Sequence, residues 1–192
     1  MLVLILGLII FLGVHSVRIF GEDWRRDLIV RLGDGPWKGV YSLASIVGFV
    51  LIVWGYGMAR QDSVLLWTSP VWLTHLAIAL NLVAFILFAA YLVPAGRMKA
   101  RLGHPMLLSV KVWAFAHLLA NGTLADLLLF GSFLVWAIAD FAVARRRDRK
   151  AGTVRVAGPA RNDAIAVAVG VVIWAAILWR LHYWVIGASP LA

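Results

Sequence analysis

The sequence predicts an all-α, polytopic membrane protein, a bundle of six transmembrane helices, on three observations. Hydrophobic residues fill 63% of the 192 positions and charged residues only 14%. The apolar residues lie in long blocks, without heptads or strict alternation, and several blocks reach the roughly 20 residues a helix needs to cross a bilayer. Lys and Arg gather between the blocks, where they orient a chain in the membrane. A soluble bundle of this length would need far more polar surface. The net charge of +9 therefore marks a lipid-bilayer partner and no nucleic acid. Cysteine is absent, which excludes disulfides, a thiol nucleophile and thiolate ligands.

The elements follow in order. Met1 to Val17 carries no charge, no basic leader and no small-residue cleavage site, so it reads as a retained first span over about residues 1–20. His15 lies in its last third, and Arg18, three positions on, shares its helix face. Gly21 to Lys38 reads as a polar loop with a turn at Gly33-Asp34-Gly35-Pro36. The second span covers about 37–59, where Gly48, Gly55 and Gly57 permit close helix contact. Trp67 and Trp72 anchor a third span over about 71–93, interrupted by His75 and Asn81 and stopped by Pro94-Ala95-Gly96.

The fourth span, about 105–120, is short for a bilayer and contains Lys111; it reads as a central, protein-covered helix. Asn121-Gly122 is a helix-stop signal and predicts a tight turn into the fifth span, about 124–144, which Asp140 interrupts. A basic run from Arg145 to Lys150 and a Gly/Pro linker lead to the sixth span, about 163–187, with Arg180 and His182 toward its end. No internal repeat or second domain is visible, so residues 1–192 form one domain.

Charge sets the orientation. The loops after spans one, three and five, with their flanks, carry Arg18, Arg25, Arg26, Arg31, Lys38, Arg97, Lys99, Arg101, Arg145, Arg146, Arg147, Arg149, Lys150, Arg155 and Arg161. The opposite side carries Arg60 and Arg180. The excess puts those three loops in the cytoplasm and both termini in the periplasm, as for a multi-pass protein of a bacterial inner membrane.

No soluble-enzyme signature is present: no Gly-rich phosphate loop, no His-Glu-x-x-His and no Gly-x-Ser-x-Gly. What remains is five histidines. His75 and His182 lie near outer ends beside Trp72 and Trp184 and read as interfacial. His15 and His117 lie inside predicted hydrocarbon. His117 has Trp113 four residues before it and Asn121 four after it, and Asn121 is a candidate acceptor for its second ring nitrogen. Neutral imidazole is a good ligand for haem iron, and bundles place such ligands on facing helices. Without cysteines or paired carboxylates near the histidines, a haem fits better than a zinc or di-iron site.

Two pairings stay open. His15 with His117 joins the two buried residues, which differ in depth by roughly 10 Å at 1.5 Å per residue. His15 with His104 joins residues at similar, cytoplasmic depth. Arg18 and Lys111 are candidate partners for haem propionates. Alternatively, Lys111 neutralises Asp126 or Asp140.

The sequence resembles the NnrU family over nearly its whole length. The matching stretches are Phe11-Leu12-Gly13-Val14-His15-Ser16, Arg31-Leu32-Gly33, Trp37-Lys38-Gly39-Val40-Tyr41-Ser42, Lys99-Ala100-Arg101-Leu102-Gly103-His104-Pro105-Met106 and Trp113-Ala114-Phe115-Ala116-His117-Leu118-Leu119-Ala120-Asn121-Gly122. The resemblance implies an inner-membrane protein tied to nitrogen-oxide and denitrification metabolism. The family is similar to the plastid ζ-carotene isomerases, haem b proteins that isomerise a polyene, and that similarity implies haem ligation by His15 and His117. Those isomerases carry a cysteine where this sequence has Ala114, so any ligand exchange through that thiol is impossible here. A shorter similarity, at His104-Pro105, is to isoprenylcysteine methyltransferase-like enzymes, but Gly103 stands where those have Arg and Leu107 where those have Tyr.

The expected function is therefore haem b binding within the bundle, in nitrogen-oxide-related redox metabolism, acting on a small redox or lipophilic substrate. The alternatives are a haem-dependent cis-trans isomerase of a polyene and a non-catalytic assembly or transport component.

Overall fold

The computed structural model describes residues 1–191. Every regular element among them is helical. In order they are α1 (Leu2–His15), α2 (Val17–Phe20), α3 (Glu22–Leu32), α4 (Asp34–Ala59), α5 (Val71–Leu92), α6 (Arg97–Leu102), α7 (Pro105–Ala120), α8 (Leu124–Lys150) and α9 (Ala160–Ala176). A π-helical turn, Ile177–Leu181, then runs into α10 (His182–Ile186). An isolated bridge pairs Leu65 with Thr123.

Four helical stretches are long and apolar enough to cross a membrane: Asp34–Ala59, Val71–Leu92, Leu124–Lys150 and Ala160–Ile186. Two further apolar helices, α1 with 14 residues and α7 with 16, are shorter. The apolar side chains that point outward suit a lipid environment. On α4 alone Val40, Leu43, Ile46, Phe49, Val50 and Val53 are exposed, a stripe that water would penalise and hydrocarbon does not.

Small residues set the helix spacing. A Cβ on Gly7 would come within 2.6 Å of the Ile52 nitrogen, and one on Gly48 within 2.7 Å of the Phe11 nitrogen, while Gly55 abuts the backbone of Leu4. Those pairs run in opposite directions along the chain, so α1 lies antiparallel on α4 at close range. Of the glycines expected to serve this purpose, Gly57 faces open space. On the other side Gly170 of α9 meets the backbone of Ile86 in α5. Trp174 Nε1 donates to Ile78 O at 3.0 Å, and Ser109 Oγ of α7 donates to Ala84 O at 2.8 Å. Helix α8 joins the two halves. Its Phe133 and Trp136 meet Phe11 and His15 of α1, and its Phe130 and Phe133 meet Trp113 and His117 of α7. By these registers α1 runs parallel to α8, and α7 antiparallel to both.

The structure corrects three local readings. The polar stretch after the first span is the helix α3 and not a loop. Its acidic first turn and basic last turn suit the helix dipole, and Arg25 pairs with Glu22 at 3.1 Å while Arg26 pairs with Asp23. The chain reverses at Gly33, whose φ of +88° favours glycine, and α4 starts at once with Asp34. Secondly, Asn121 is extended and forms no left-handed cap. The tight turn instead rests on a capping box, in which Thr123 Oγ1 accepts from the Asp126 nitrogen and Asp126 Oδ2 accepts from the Thr123 nitrogen. Gly122 is needed because the Trp67 carbonyl lies against it. Finally, α8 continues through the basic run to Lys150.

Candidate functional site

Both deep histidines lie in the last turn of helices that pack on α8, and both rings fold back along their own helix. His15 Nδ1 lies 2.7 Å from Phe11 O, and His117 Nδ1 lies 2.8 Å from Trp113 O. A carbonyl only accepts, so each Nδ1 carries the proton and, in the neutral ring, each Nε2 holds a bare lone pair. This is the tautomer a metal-binding imidazole needs, with the second nitrogen fixed by backbone. Asn121 does not supply that contact. Its Nδ2 donates to the His117 carbonyl at 2.9 Å, which ties down the end of α7.

Aromatic rings line the space between the two histidines. Phe11 stacks on His15 at 4.2 Å, and Phe130 stacks on His117 at 4.6 Å. Phe133 touches both Phe11 and Trp113 at 5.7 Å, and Trp113 lies 5.1 Å from His117. Tyr41 and Trp136 flank His15 at 5.3 and 6.0 Å. His117 and His15 thus meet α8 at Phe130 and Trp136, six residues or about 9 Å apart along the axis.

The other sequence-predicted residues lie elsewhere. His104 sits at the opposite end of α7, where its Nε2 donates to Asp148 Oδ2 at 2.8 Å. Arg155 NH2 donates to the same oxygen at 2.6 Å. Asp148 lies beyond the apolar part of α8. Desolvation alone would raise its carboxyl, but the hydrogen bonds from Arg155 and His104 outweigh that and hold it below its ordinary value. Arg18 points away from the histidines: its Nε pairs with Glu22 at 3.4 Å, and its carbonyl accepts from Arg147 at 2.9 Å.

Lys111 pairs with neither aspartate offered to it. Its Nζ lies 3.8 Å from the centre of the Phe141 ring. Asp126 instead accepts from Tyr56 OH at 2.6 Å and from Thr123 Oγ1 at 2.6 Å. His182 Nδ1 donates to Ala188 O at 2.7 Å, and His75 is exposed.

Sequence reasoning missed the aromatic wall of α8. Phe130, Phe133 and Trp136 recur at three-residue steps, a spacing that turns side chains toward neighbouring helices. That signal was readable but is shared with ordinary apolar packing.

The NnrU family model, described as NnrU protein, matches residues 3–190. The chain belongs to the NnrU family. No curated protein and no solved structure matches it. Within this NnrU chain no group of three or more His, Asp or Glu converges on a common point among the described residues. The two-imidazole donor set fits a group that brings its own equatorial ligands and takes only axial ones, as haem does. The donor chemistry and the apolar rings around it suit such a group.

Proposed function

We propose that this protein would hold haem b between α1 and α7 through the imidazoles of His15 and His117, and serves in nitrogen-oxide-related redox metabolism. One observation carries the reading: on both helices Nδ1 is spent on a backbone carbonyl, which leaves Nε2 of each neutral ring as a lone pair. His104, whose Nε2 is engaged by Asp148, is the weaker partner for His15. When bound, the haem would supply one-electron chemistry, at a potential set by its axial ligands and by burial. The chain's residues would fix both imidazole tautomers and, through Phe11, Phe130, Phe133 and Trp113, exclude water.

Six crossings belong to the same proposal, with α1 and α7 as short spans covered by their neighbours and both termini in the periplasm of a bacterial inner membrane. The alternation of helix directions from α1 to α9 supports that count. A polyene isomerase gains no support from the site: Ala114 is fully buried and offers no thiol. Detergent-purified protein from cells supplied with haem should carry iron and protohaem in equal, stoichiometric amounts. Protein free of both would leave the polar residues as packing groups only.

A further inference from the structure

Two guanidinium groups converge at the foot of α7. Gly103, with a φ of +78°, turns the chain from α6 into α7. From the place a Cβ on Gly103 would take, Arg145 Nη1 and Arg155 Nη1 are each 3.2 Å away. Arg155 spends its other terminal nitrogen, Nη2, on Asp148 Oδ2, which offsets one of the two charges. Among the described residues Arg145 makes no hydrogen bond or ion pair, and its nitrogens are not closed off as the unpartnered atoms of Ser69, Trp136 and Asp140 are. Adjacent like charges repel until an anion joins them, and the planar donor pairs of Arg match the oxygens of a phosphate.

One face of α8 leads from this pair into the apolar part of the bundle. Leu134, Ile138, Phe141 and Arg145 follow one another at steps of four, three and four, a spacing that keeps them on one side of the helix. The Phe141 ring meets His104 edge-on at 6.1 Å and has Lys111 Nζ 3.8 Å from its centre. The Lys111 ammonium likewise has no anionic partner among the described residues and is not closed off. Lys111 is one wall of an open groove between α5, α7 and α8, whose other walls are Leu80, Val112, Phe115, Leu134 and Ile138. Phe115 and Ile138 are exposed on the outer surface of the bundle, so the groove opens to hydrocarbon. Down the bundle the order is a guanidinium pair, one ammonium six residues or about 9 Å inside α7, then apolar walls. An anionic phospholipid presents a phosphate, ester oxygens and an acyl chain in that same order, and basic pockets between membrane helices bind such headgroups.

We infer that Arg145, Arg155 and Lys111 hold the phosphate and ester oxygens of an anionic phospholipid whose acyl chain lies in the α5/α7/α8 groove. Gly103 and Arg145 lie at the end of α7 opposite His117, so the site does not depend on haem being bound. The test uses the full chain in phosphatidylcholine nanodiscs, with a small fraction of phosphatidylglycerol carrying a diazirine in one acyl chain and peptide mass mapping as the readout. Labelling of residues 112–115 and 134–138 should exceed that by the same chain on a phosphatidylcholine headgroup about tenfold, the worth of one charge-assisted hydrogen bond. Arg145→Gln should bring the phosphatidylglycerol probe down to the phosphatidylcholine level. Arg146→Gln, at the exposed next position of the same basic run, should leave it unchanged. Equal labelling by the two headgroups would overturn the site, and that comparison on the parent decides even if a variant fails to fold. Equal losses in Arg145→Gln and Arg146→Gln would also overturn it, since they would mark diffuse attraction to the basic run. Excess inorganic phosphate, which has no chain for the groove, should not compete; competition by it would contradict a lipid site in favour of a free anion.

Discussion

At the scale of single residues, the position of a proton decides what a histidine can do. The same residue type has three settings here. His104 gives its Nε2 hydrogen to Asp148, His182 gives its Nδ1 hydrogen to Ala188 O, and His15 and His117 give Nδ1 hydrogens to carbonyls one turn back. Only the last pair sits on antiparallel helices that pack on the same face-forming aromatics of α8. Lys111 shows how magnitudes separate two roles. A buried ion pair broken from one side costs about 3–5 kcal/mol. A cation over an aromatic face contributes about 0.5–2 kcal/mol. With Nζ over Phe141 and a long apolar stem to reach it, Lys111→Met should change unfolding stability in detergent by about 2 kcal/mol at most. A loss near 4 kcal/mol would mean an ion pair after all.

At the scale of elements, α1 depends on contact with its partner, since 14 residues span only about 21 Å. Its glycine contacts with α4 are backbone to backbone, so a side chain cannot be absorbed by a rotamer change. Gly48→Val should therefore cost at least about 1–3 kcal/mol and release α1, seen as protease cleavage near Ser16. Gly57→Val should be tolerated, because nothing lies within 4 Å of that position.

The Asp148 clasp ties the 151–159 linker to the foot of α7. The Asp148 carboxyl titrates below its unfolded value, so its contribution is complete above the ordinary aspartate range and is lost as pH falls through the lowered value. Protection of the linker amides, taken relative to their intrinsic exchange rate at each pH, should fall as the pH drops below the ordinary aspartate range. Asp148→Asn should exchange fast at neutral pH and lose that dependence. An unchanged profile would place the linker's restraint elsewhere, for instance in Asn162, which donates to Ala95 O at 2.9 Å.

At the scale of the whole molecule, charge and helix direction agree. Fusions of a cytoplasm-active reporter after Gly96 and Gly152 should be active, and those after Ser63 and Ala192 silent. An active fusion after Ala192 would mean that α1 or α7 does not cross. The helical class, the polar breaks and the two deep histidines were legible in the sequence because hydropathy and rare polar residues are one-dimensional signals. Helix α3 was hidden by its charge, since a polar stretch reads as a loop until its i,i+3 pairs are placed. The role of Asn121 and the partners of Lys111 and Asp126 were not legible. Tyr56 and Asp126 stand 70 positions apart in sequence, and only packing of α4 on α8 brings them together. The wall of Phe130, Phe133 and Trp136 becomes a site only once α1 and α7 are seen on either side of it.

The most direct measurement is the oxidised and reduced absorption spectrum of the purified protein beside its His15→Ala, His104→Ala and His117→Ala variants. Ligation by His15 and His117 predicts a six-coordinate, low-spin spectrum in the parent and in His104→Ala, with that species lost in the other two. Retention of the low-spin spectrum in His117→Ala, with its loss in His104→Ala, would contradict the assignment and move the second ligand to the cytoplasmic end of α7.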